Sequence, residues 1–328
     1  MSFTVLSLGG PVAPEGEDVL RAAGIVLLST GPYPGKAELL ALLAEIQPDA
    51  LVVRLVERVD AEVLMASPAL KVVAKHGSGV NDIDVAAAAA LGIPVLASVG
   101  ANAHSVAEHA LTLMLALAKD LKSQDDFMRR GGWGRKAYRG YELRARTLGI
   151  VGFGAIGSAF AGLVVPLGVK TIAYDPYVPD AVFGVQAERV PDLDTLLSRA
   201  DVVSLHCPLT EETRGMIGAR ALTLMKRDAV LINTARGEIV DERALVKALN
   251  GGDIGAAGLD VFASEPPAKA NPIWKCPNVI VSPHVGGATE EAWREISLMT
   301  CRNLMAFLEG RRIDARFFAR PDRFPGEQ

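Results

Sequence analysis

The stretch Thr147-Leu-Gly-Ile-Val-Gly-Phe-Gly-Ala-Ile-Gly157 constrains the fold more than any other part of the chain. An apolar strand pattern, Leu148–Val151, runs into Gly152-x-Gly154-x-x-Gly157, and an apolar helical pattern follows over Ile156–Leu167. A second strand pattern, Thr171–Tyr174, then ends at Asp175. Each glycine has a physical task. Gly152 permits a tight turn, Gly154 lets backbone approach a pyrophosphate, and Gly157 lets helix and strand pack closely. The helix start adds unpaired N–H groups and a positive dipole end. Asp175, about twenty residues on, can accept hydrogen bonds from both ribose hydroxyls and would repel the 2′-phosphate of NADP. A lone Gly-x-Gly-x-x-Gly is weak evidence, because glycine is common at turns. Strand, fingerprint, helix, strand and terminal acid in this order are what a dinucleotide site requires. NAD is the expected cofactor.

The remainder of the chain repeats the alternation. Strands are predicted at Thr4–Leu8, Ile25–Ser29, Ala50–Leu55, Val72–Lys75 and Val95–Ser98, with helices at Asp18–Ala23, Lys36–Ile46, Ala61–Ala66 and Val85–Leu91 between them. Gly and Pro punctuate the joints. The pattern breaks at Ser105–Leu121, which reads as one apolar helix with Ser105 as N-cap and Glu108 three residues on. A polar, Gly-rich segment, Arg129–Gly140, follows. After the fingerprint come strands at Val202–His206, Val230–Asn233, Ala257–Leu259 and Val279–Ser282, then a helix over Glu290–Leu308 closed by Gly310. Such alternation implies parallel sheets covered on both faces. Two α/β units are expected, with a hinge near Val99–Ala101 and a second boundary somewhere after Pro283.

Composition narrows the function classes. A length of 328 residues suits two domains, and half of them are apolar. A net charge of −4 argues against a nucleic-acid partner, which normally needs a basic face. Three scattered cysteines, Cys207, Cys276 and Cys301, show neither metal-ligand spacing nor a disulfide framework, so no metal and a reducing, cytoplasmic compartment are expected. The N-terminus lacks the pattern of a signal peptide. The most apolar helical segment, Ala110–Ala118, is far shorter than the ~20 residues that span a bilayer, so no membrane association is expected.

A hydride acceptor alone does not define a reaction. A 2-keto acid also needs a cation for its carboxylate and carbonyl, a general acid for its oxygen, and a carboxylate that holds that acid in the right tautomer. Three residues at ends of predicted strands meet these needs: Arg236 after Leu231-Ile-Asn-Thr-Ala, Glu265 in Gly258-Leu-Asp-Val-Phe-Ala-Ser-Glu-Pro266, and His284 after Val279-Ile-Val-Ser-Pro. Ligands of open α/β sheets bind at the carboxyl ends of strands. Taken singly, Arg236 also reads as a surface or interdomain salt-bridge residue, Glu265 as a solvated loop residue and His284 as a structural imidazole. Their joint occurrence beside the dinucleotide motif carries the argument.

Several segments together resemble the D-isomer-specific 2-hydroxyacid dehydrogenase family: Lys75-His-Gly-Ser-Gly-Val-Asn-Asp-Ile-Asp84, Asn102-Ala-His-Ser-Val-Ala-Glu-His109, the fingerprint, Leu205-His-Cys-Pro-Leu-Thr-Glu-Glu-Thr213, Asn233-Thr-Ala-Arg-Gly-Glu-Ile-Val-Asp241, Gly258-Leu-Asp-Val-Phe262 and Ser282-Pro-His-Val-Gly-Gly287. The resemblance covers nearly the whole chain. It implies a Rossmann NAD-binding domain, 101–286, inserted into a flavodoxin-like substrate domain of 1–100 plus 287–328. It implies Arg236 as carboxylate and carbonyl ligand, His284 as acid/base and Glu265 as its partner. Cofactor contacts fall by resemblance on Ser78, Val106, Ala155, Ile156, Asp175, Cys207, Pro208, Thr213, Thr234, Asp260 and Gly286. Ser78, Gly79 and Val80 present backbone N–H groups to the substrate carboxylate. A homodimer joined through the nucleotide domain is the family's usual assembly.

Departures mark what stays open. Ala155 follows the second glycine, where the family often has a basic residue, and Lys75 stands where phosphoglycerate enzymes usually have arginine. The chain carries no regulatory domain after residue 328, so feedback by serine is not expected. Arg54 matches a phosphate-binding arginine of phosphoglycerate enzymes, and with Lys75 and Arg135 or Lys136 would suit a phosphorylated or dicarboxylic substrate; the plainer alternative is an exposed strand-end residue with solvated neighbours. Hydroxypyruvate, glyoxylate and 3-phosphoglycerate types all remain open. So do an NAD-sensing corepressor-like scaffold and a formate dehydrogenase-like enzyme, although the latter usually carries Gln where this chain has Glu265.

Overall fold

Two parallel sheets, each packed on both faces, follow from the alternation. The computed structural model describes residues 3–319 apart from 57, 135–137 and 139. Arg135 and Lys136, expected near an anion site, lie outside the described residues. The described residues within Met1–Asn102 and Ala288–Glu327 form one unit, and Ala103–Gly287 form a second.

The first unit runs β1 (Thr4–Leu8), α1 (Pro14–Ala22), β2 (Val26–Ser29), α2 (Lys36–Ile46), β3 (Ala50–Val53), α3 (Ala61–Met65), β4 (Val72–Lys75), α4 (Val85–Ala90) and β5 (Val95–Ala97). The second runs α5 (Ala103–Ala118), α6 (Leu121–Arg129), β6 (Thr147–Val151), α7 (Ala155–Val164), β7 (Lys170–Tyr174), α8 (Asp180–Phe183), β8 (Glu188–Arg189), α9 (Leu193–Arg199), β9 (Val202–Leu205), α10 (Ala219–Leu224), β10 (Val230–Asn233), α11 (Glu242–Gly251), β11 (Ala256–Leu259) and β12 (Val279–Val281). The chain then returns to the first unit with α12 (Glu290–Leu308) and β13 (Phe318–Ala319).

The first sheet has the order β13-β5-β4-β3-β1-β2, a flavodoxin-like arrangement. Its one departure from the expected parallel sheet is β13, which pairs antiparallel with β5. Strand β3 is buried along its length: Leu51 and Val53 enter one core layer, Ala50 and Val52 the other. That period-2 alternation is why a doubly covered strand reads as a continuous apolar run. Helix α12 seals one face through Cys301 and Leu304. Thr289 caps it by accepting from Ala292 N at 3.1 Å, and Gly310 ends it at φ +69°.

The second sheet has the order β12-β11-β10-β9-β6-β7-β8. Its direction of growth reverses between β6 and β9, the topological switch point at which such sheets bind ligands. Leu231 of β10 packs on one face, Val230 and Ile232 on the other.

Three local expectations are corrected. Helix α5 begins at Ala103, so Ser105 lies inside it and is not its N-cap. Ala103 is buried, and packing extends the helix past its local capping signal. The helix also ends at Ala118; Asp120 turns left-handed at φ 47°, and α6 starts anew. Helix α6 buries none of its residues and is laced by i,i+4 pairs, Lys122–Asp126 and Arg129–Asp125, so it offers no apolar stripe to read. Helix α1 starts at Pro14, earlier than Asp18, because proline is pre-organised for the first helical turn. Among the described residues no helix is long and apolar enough to cross a membrane.

Candidate active site

The fingerprint glycines behave as three different parts. Gly152 has φ +89°, and a Cβ there would lie 2.5 Å from Cys207 N, so strand end β6 meets strand end β9 at glycine distance. At Gly157 a Cβ would lie 2.2 Å from Gly152 O, which any side chain would force apart. Gly154, the N-cap of α7, has nothing within 4 Å of its Cβ position and no side-chain cap on the helix. Ala155 and Ile156 form the first turn behind it. Open space in front of uncapped N–H groups suits a pyrophosphate.

Asp175 stands at the end of β7. Its Oδ1 accepts from Tyr177 N at 2.9 Å and Val178 N at 3.3 Å, and its Oδ2 accepts from Phe153 N at 2.8 Å, which leaves Oδ2 the oxygen with acceptor capacity to spare. Thr213 donates to Pro208 O at 2.7 Å, which folds the segment after Cys207 onto itself. Burial pushes the Cys207 thiol up to about 12, so it is an inert wall. Val106 is buried on α5. Thr234 is buried with no partner for its hydroxyl among the described residues, the kind of orphan a bound group would satisfy.

His284 and Glu265 meet directly. His284 Nδ1 lies 2.7 Å from Glu265 Oε2. The carboxylate accepts, so Nδ1 carries the proton and Nε2 faces outward with its lone pair or second proton. Glu265 Oε1 accepts from Phe262 N at 3.1 Å, which fixes the carboxylate's other end. His284 itself sits at φ +55° and donates its N–H to Asp260 O at 2.7 Å. Asp260 accepts from Val285 N and Gly286 N at 2.9 and 2.8 Å. Burial works against its charge, yet His109, Ser282 and these two N–H groups hold its carboxyl down to about 2.

Arg236 follows β10 through a turn built by Asn233. The Asn233 amide accepts from Ala235 N at 3.0 Å and donates to Arg236 O at 2.9 Å. At Gly237 a Cβ would lie 1.9 Å from Phe262 C, so only glycine lets the Arg236 turn lie against the segment leading to Glu265. Asn233, Gly237, His109 and Ser282 were not singled out from sequence. Their signal was faint: an Asx-type turn residue at a strand end, and polar residues inside motifs already quoted.

Candidates in the first unit surround the carboxyl ends of β3 and β4. Arg54 is half-buried, bonds Pro11 O, and burial lowers its guanidinium pKa. Lys75 is paired with Asp82 and reaches Arg54 O at 3.4 Å. Ser78 donates to Ser98 O at 3.3 Å, Gly79 follows it in the same loop, and the Val80 side chain belongs to the core.

A family model described as D-isomer specific 2-hydroxyacid dehydrogenase, NAD binding domain, matches residues 111–286. A D-3-phosphoglycerate dehydrogenase of Mycobacterium bovis is 42% identical over 292 residues, covering 89% of this chain and 54% of its own length. The chain thus spans about half the length of that relative. A glyoxylate reductase of Thermococcus litoralis is 42% identical over 285 residues, covering 84% of this chain and 85% of its own. Among solved structures, a D-lactate dehydrogenase of Aquifex aeolicus complexed with NAD and lactic acid matches with a TM-score of 0.80 at 30% identity, over 93% of this chain and 96% of that one. On this sequence, this sheet order and these matches, the chain belongs to the D-isomer-specific 2-hydroxyacid dehydrogenase family.

Proposed function

We propose that the chain is an NAD-dependent dehydrogenase interconverting a small 2-keto acid and its D-2-hydroxy acid. The observation that carries this reading is the His284 Nδ1–Glu265 bond of 2.7 Å, which leaves Nε2 for the substrate oxygen. Reduced NAD, when bound, is a hydride source. His284 gives its Nε2 proton to the C2 oxygen, and Glu265 stabilises the imidazolium before that transfer. Arg236 binds the carboxylate and polarises the carbonyl, a role its planar fork of donors suits. Gly152, Gly154, Ala155, Ile156 and Gly157 would cradle the pyrophosphate, Asp175 the adenosine ribose, and Val106, Cys207, Pro208, Thr213, Thr234, Asp260 and Gly286 the rest of the dinucleotide. Ser78, Gly79, Val80 and Arg54 remain the first unit's candidates for substrate.

Substrate size follows from charge. The Lys75 ammonium is taken by Asp82, while Arg54 has no ion pair among the described residues. This favours hydroxypyruvate or glyoxylate over a phosphorylated acid. A panel of hydroxypyruvate, glyoxylate, pyruvate and phosphohydroxypyruvate with NADH and NADPH tests the reading. Turnover of the first two with NADH is the expected result. Activity on formate without any on keto acids, or NADH binding without turnover, would replace it.

Asp175 sets the cofactor in this reading. Asp175→Ala is expected to shrink the preference for NADH over NADPH by about tenfold or more, since a like charge near the 2′-phosphate is removed. Arg189, which donates to Asp175 O at 3.1 Å, already stands beside that strand end. An unchanged ratio of kcat/KM values would move the ribose contact elsewhere.

A homodimer belongs to the same reading. Helix α6 leaves Leu121, Phe127 and Met128 exposed, and Trp133 beyond it is 84% exposed, an apolar set that a second copy would cover. A cytoplasmic location fits the three buried thiols.

A further inference from the structure

The turn that carries His284 is held from behind by Asp260 and by two side chains, Ser282 and His109, that the proposed reaction leaves without a role. Ser282 Oγ donates to Asp260 Oδ1 at 2.6 Å. A serine hydroxyl has one proton, so the 2.8 Å contact between Ser282 Oγ and His109 Nε2 must be donated by the imidazole. His109 Nε2 also lies 3.5 Å from Asp260 Oδ1. Donors therefore reach that carboxylate from three directions: α5 through His109, the end of β12 through Ser282, and the turn itself through Val285 N and Gly286 N.

This convergence bears on His284 because its backbone is in the left-handed region, at φ +55°. That conformation is strained for an L residue, so it persists only where surrounding bonds over-determine it. Relaxation of the turn would swing the imidazole off Glu265. Asp260 opposes relaxation twice, with its carbonyl on His284 N and its carboxylate on the next two N–H groups. Asp260 is itself only 2% exposed and cannot remain a buried acceptor without donors of its own. Helix α5 supplies one from a rigid base, with Ala107, Ala110, Leu113 and Met114 packed in the core. At Gly286 a Cβ would lie 2.9 Å from Asp260 Oδ2 and 3.4 Å from His109 Cδ2, so the turn packs closely against both side chains.

We propose that His109 is a positioning residue for His284, acting from α5 through Ser282 and Asp260. The inference rests on His284 being the acid of the reaction. It is tested on the full chain with hydroxypyruvate and NADH, using His109→Leu, His109→Gln, Ser282→Ala and the Leu/Ala double variant. His109→Leu lowers kcat by about ten- to hundredfold, a fraction of what loss of a general acid costs, and leaves KM for the keto acid nearly unchanged. Glutamine, whose amide N–H reaches Ser282, restores most of kcat. Ser282→Ala reproduces the loss, and the double variant is no slower than either single, as for members of one chain. A second readout needs no turnover. The low-field proton of His284 Nδ1, identified by its disappearance in His284→Asn, broadens in His109→Leu and returns in His109→Gln.

Wild-type kcat and an unaltered proton in both His109→Leu and Ser282→Ala overturn the proposal. Equal impairment by leucine and glutamine also overturns it, since ring volume would then be what matters. Should His109→Leu not fold, Ser282→Ala decides alone. The two readings fail separately. If His284→Asn keeps turnover, His284 is not the acid; if His284→Asn abolishes turnover while the His109 and Ser282 variants do not disturb it, only the positioning role falls.

Discussion

Replacing His284 by asparagine is expected to lower turnover of a 2-keto acid by about 10²–10⁴, the range for loss of a general acid, with NADH binding retained. Asparagine is the informative choice. It is among the residues that best tolerate the left-handed region, so the φ of +55° is kept and the turn survives. Its amide can still hydrogen-bond Glu265 in place of Nδ1, whose bond measures 2.7 Å. What it lacks is a second titrating nitrogen to carry a proton to the substrate. Fluorescence titration with NADH beside steady-state kinetics separates the outcomes. A Kd that rises with the fall in kcat would make His284 a structural residue of the cofactor site.

The second large effect is acid lability, and each unit carries its own source. Burial, with help from the Arg54 and Lys75 charges, lowers His76 to about 3 in the first unit. Its Nε2 is held by Ser297 Oγ at 2.8 Å. In the second unit burial alone lowers His206 to about 3, with Ser204 Oγ 2.9 Å from Nε2 and no partner for Nδ1 among the described residues. Below pH ~6.5 an unfolded chain protonates both rings while the folded units do not, so stability falls as pH falls, by about 1.4 kcal/mol per pH unit for each histidine. Each unit is expected to lose roughly 2 kcal/mol between pH 6.5 and 5.0. Asp260 does not confuse this window: its folded value of about 2 places its contribution above the unfolded carboxylate range, and it is lost only as pH drops through that lower value. Urea unfolding at pH 7.0 and 5.0 checks the prediction, and His206→Gln should flatten the dependence of the second unit. Coincident midpoints at the two pH values would show that both rings accept protons in the folded chain.

Legibility differed by residue for identifiable reasons. Strands β1, β4 and β10 and helices α2 and α12 were readable to the residue because their patterns and stops are local: apolar runs, helical spacing and, for α12, a terminal Gly. The fingerprint was equally plain, since each glycine answers a steric demand visible in the spacing. Helix α6 was missed because it buries nothing, and β13 because two residues in antiparallel contact with β5 leave no periodicity. Gly237 shapes the Arg236 turn through a contact that exists only once that turn lies against Phe262 and Ala263, while the Asn233 bonds are local and look like those of any Asx-type turn.

The sequence by itself determined the α/β class, the dinucleotide site and the three candidate side chains for the reaction. These follow from periodicity, from glycine sterics and from which functional groups the chemistry requires, all properties of short segments. Only the tertiary structure decided that His284 meets Glu265 through Nδ1, that the His284 turn is left-handed, and that His109, 175 positions away along no shared segment, closes the chain of bonds behind it. Hydrogen-bond geometry between segments distant in sequence depends on strand order and helix placement, and neither is encoded in any one stretch of the chain.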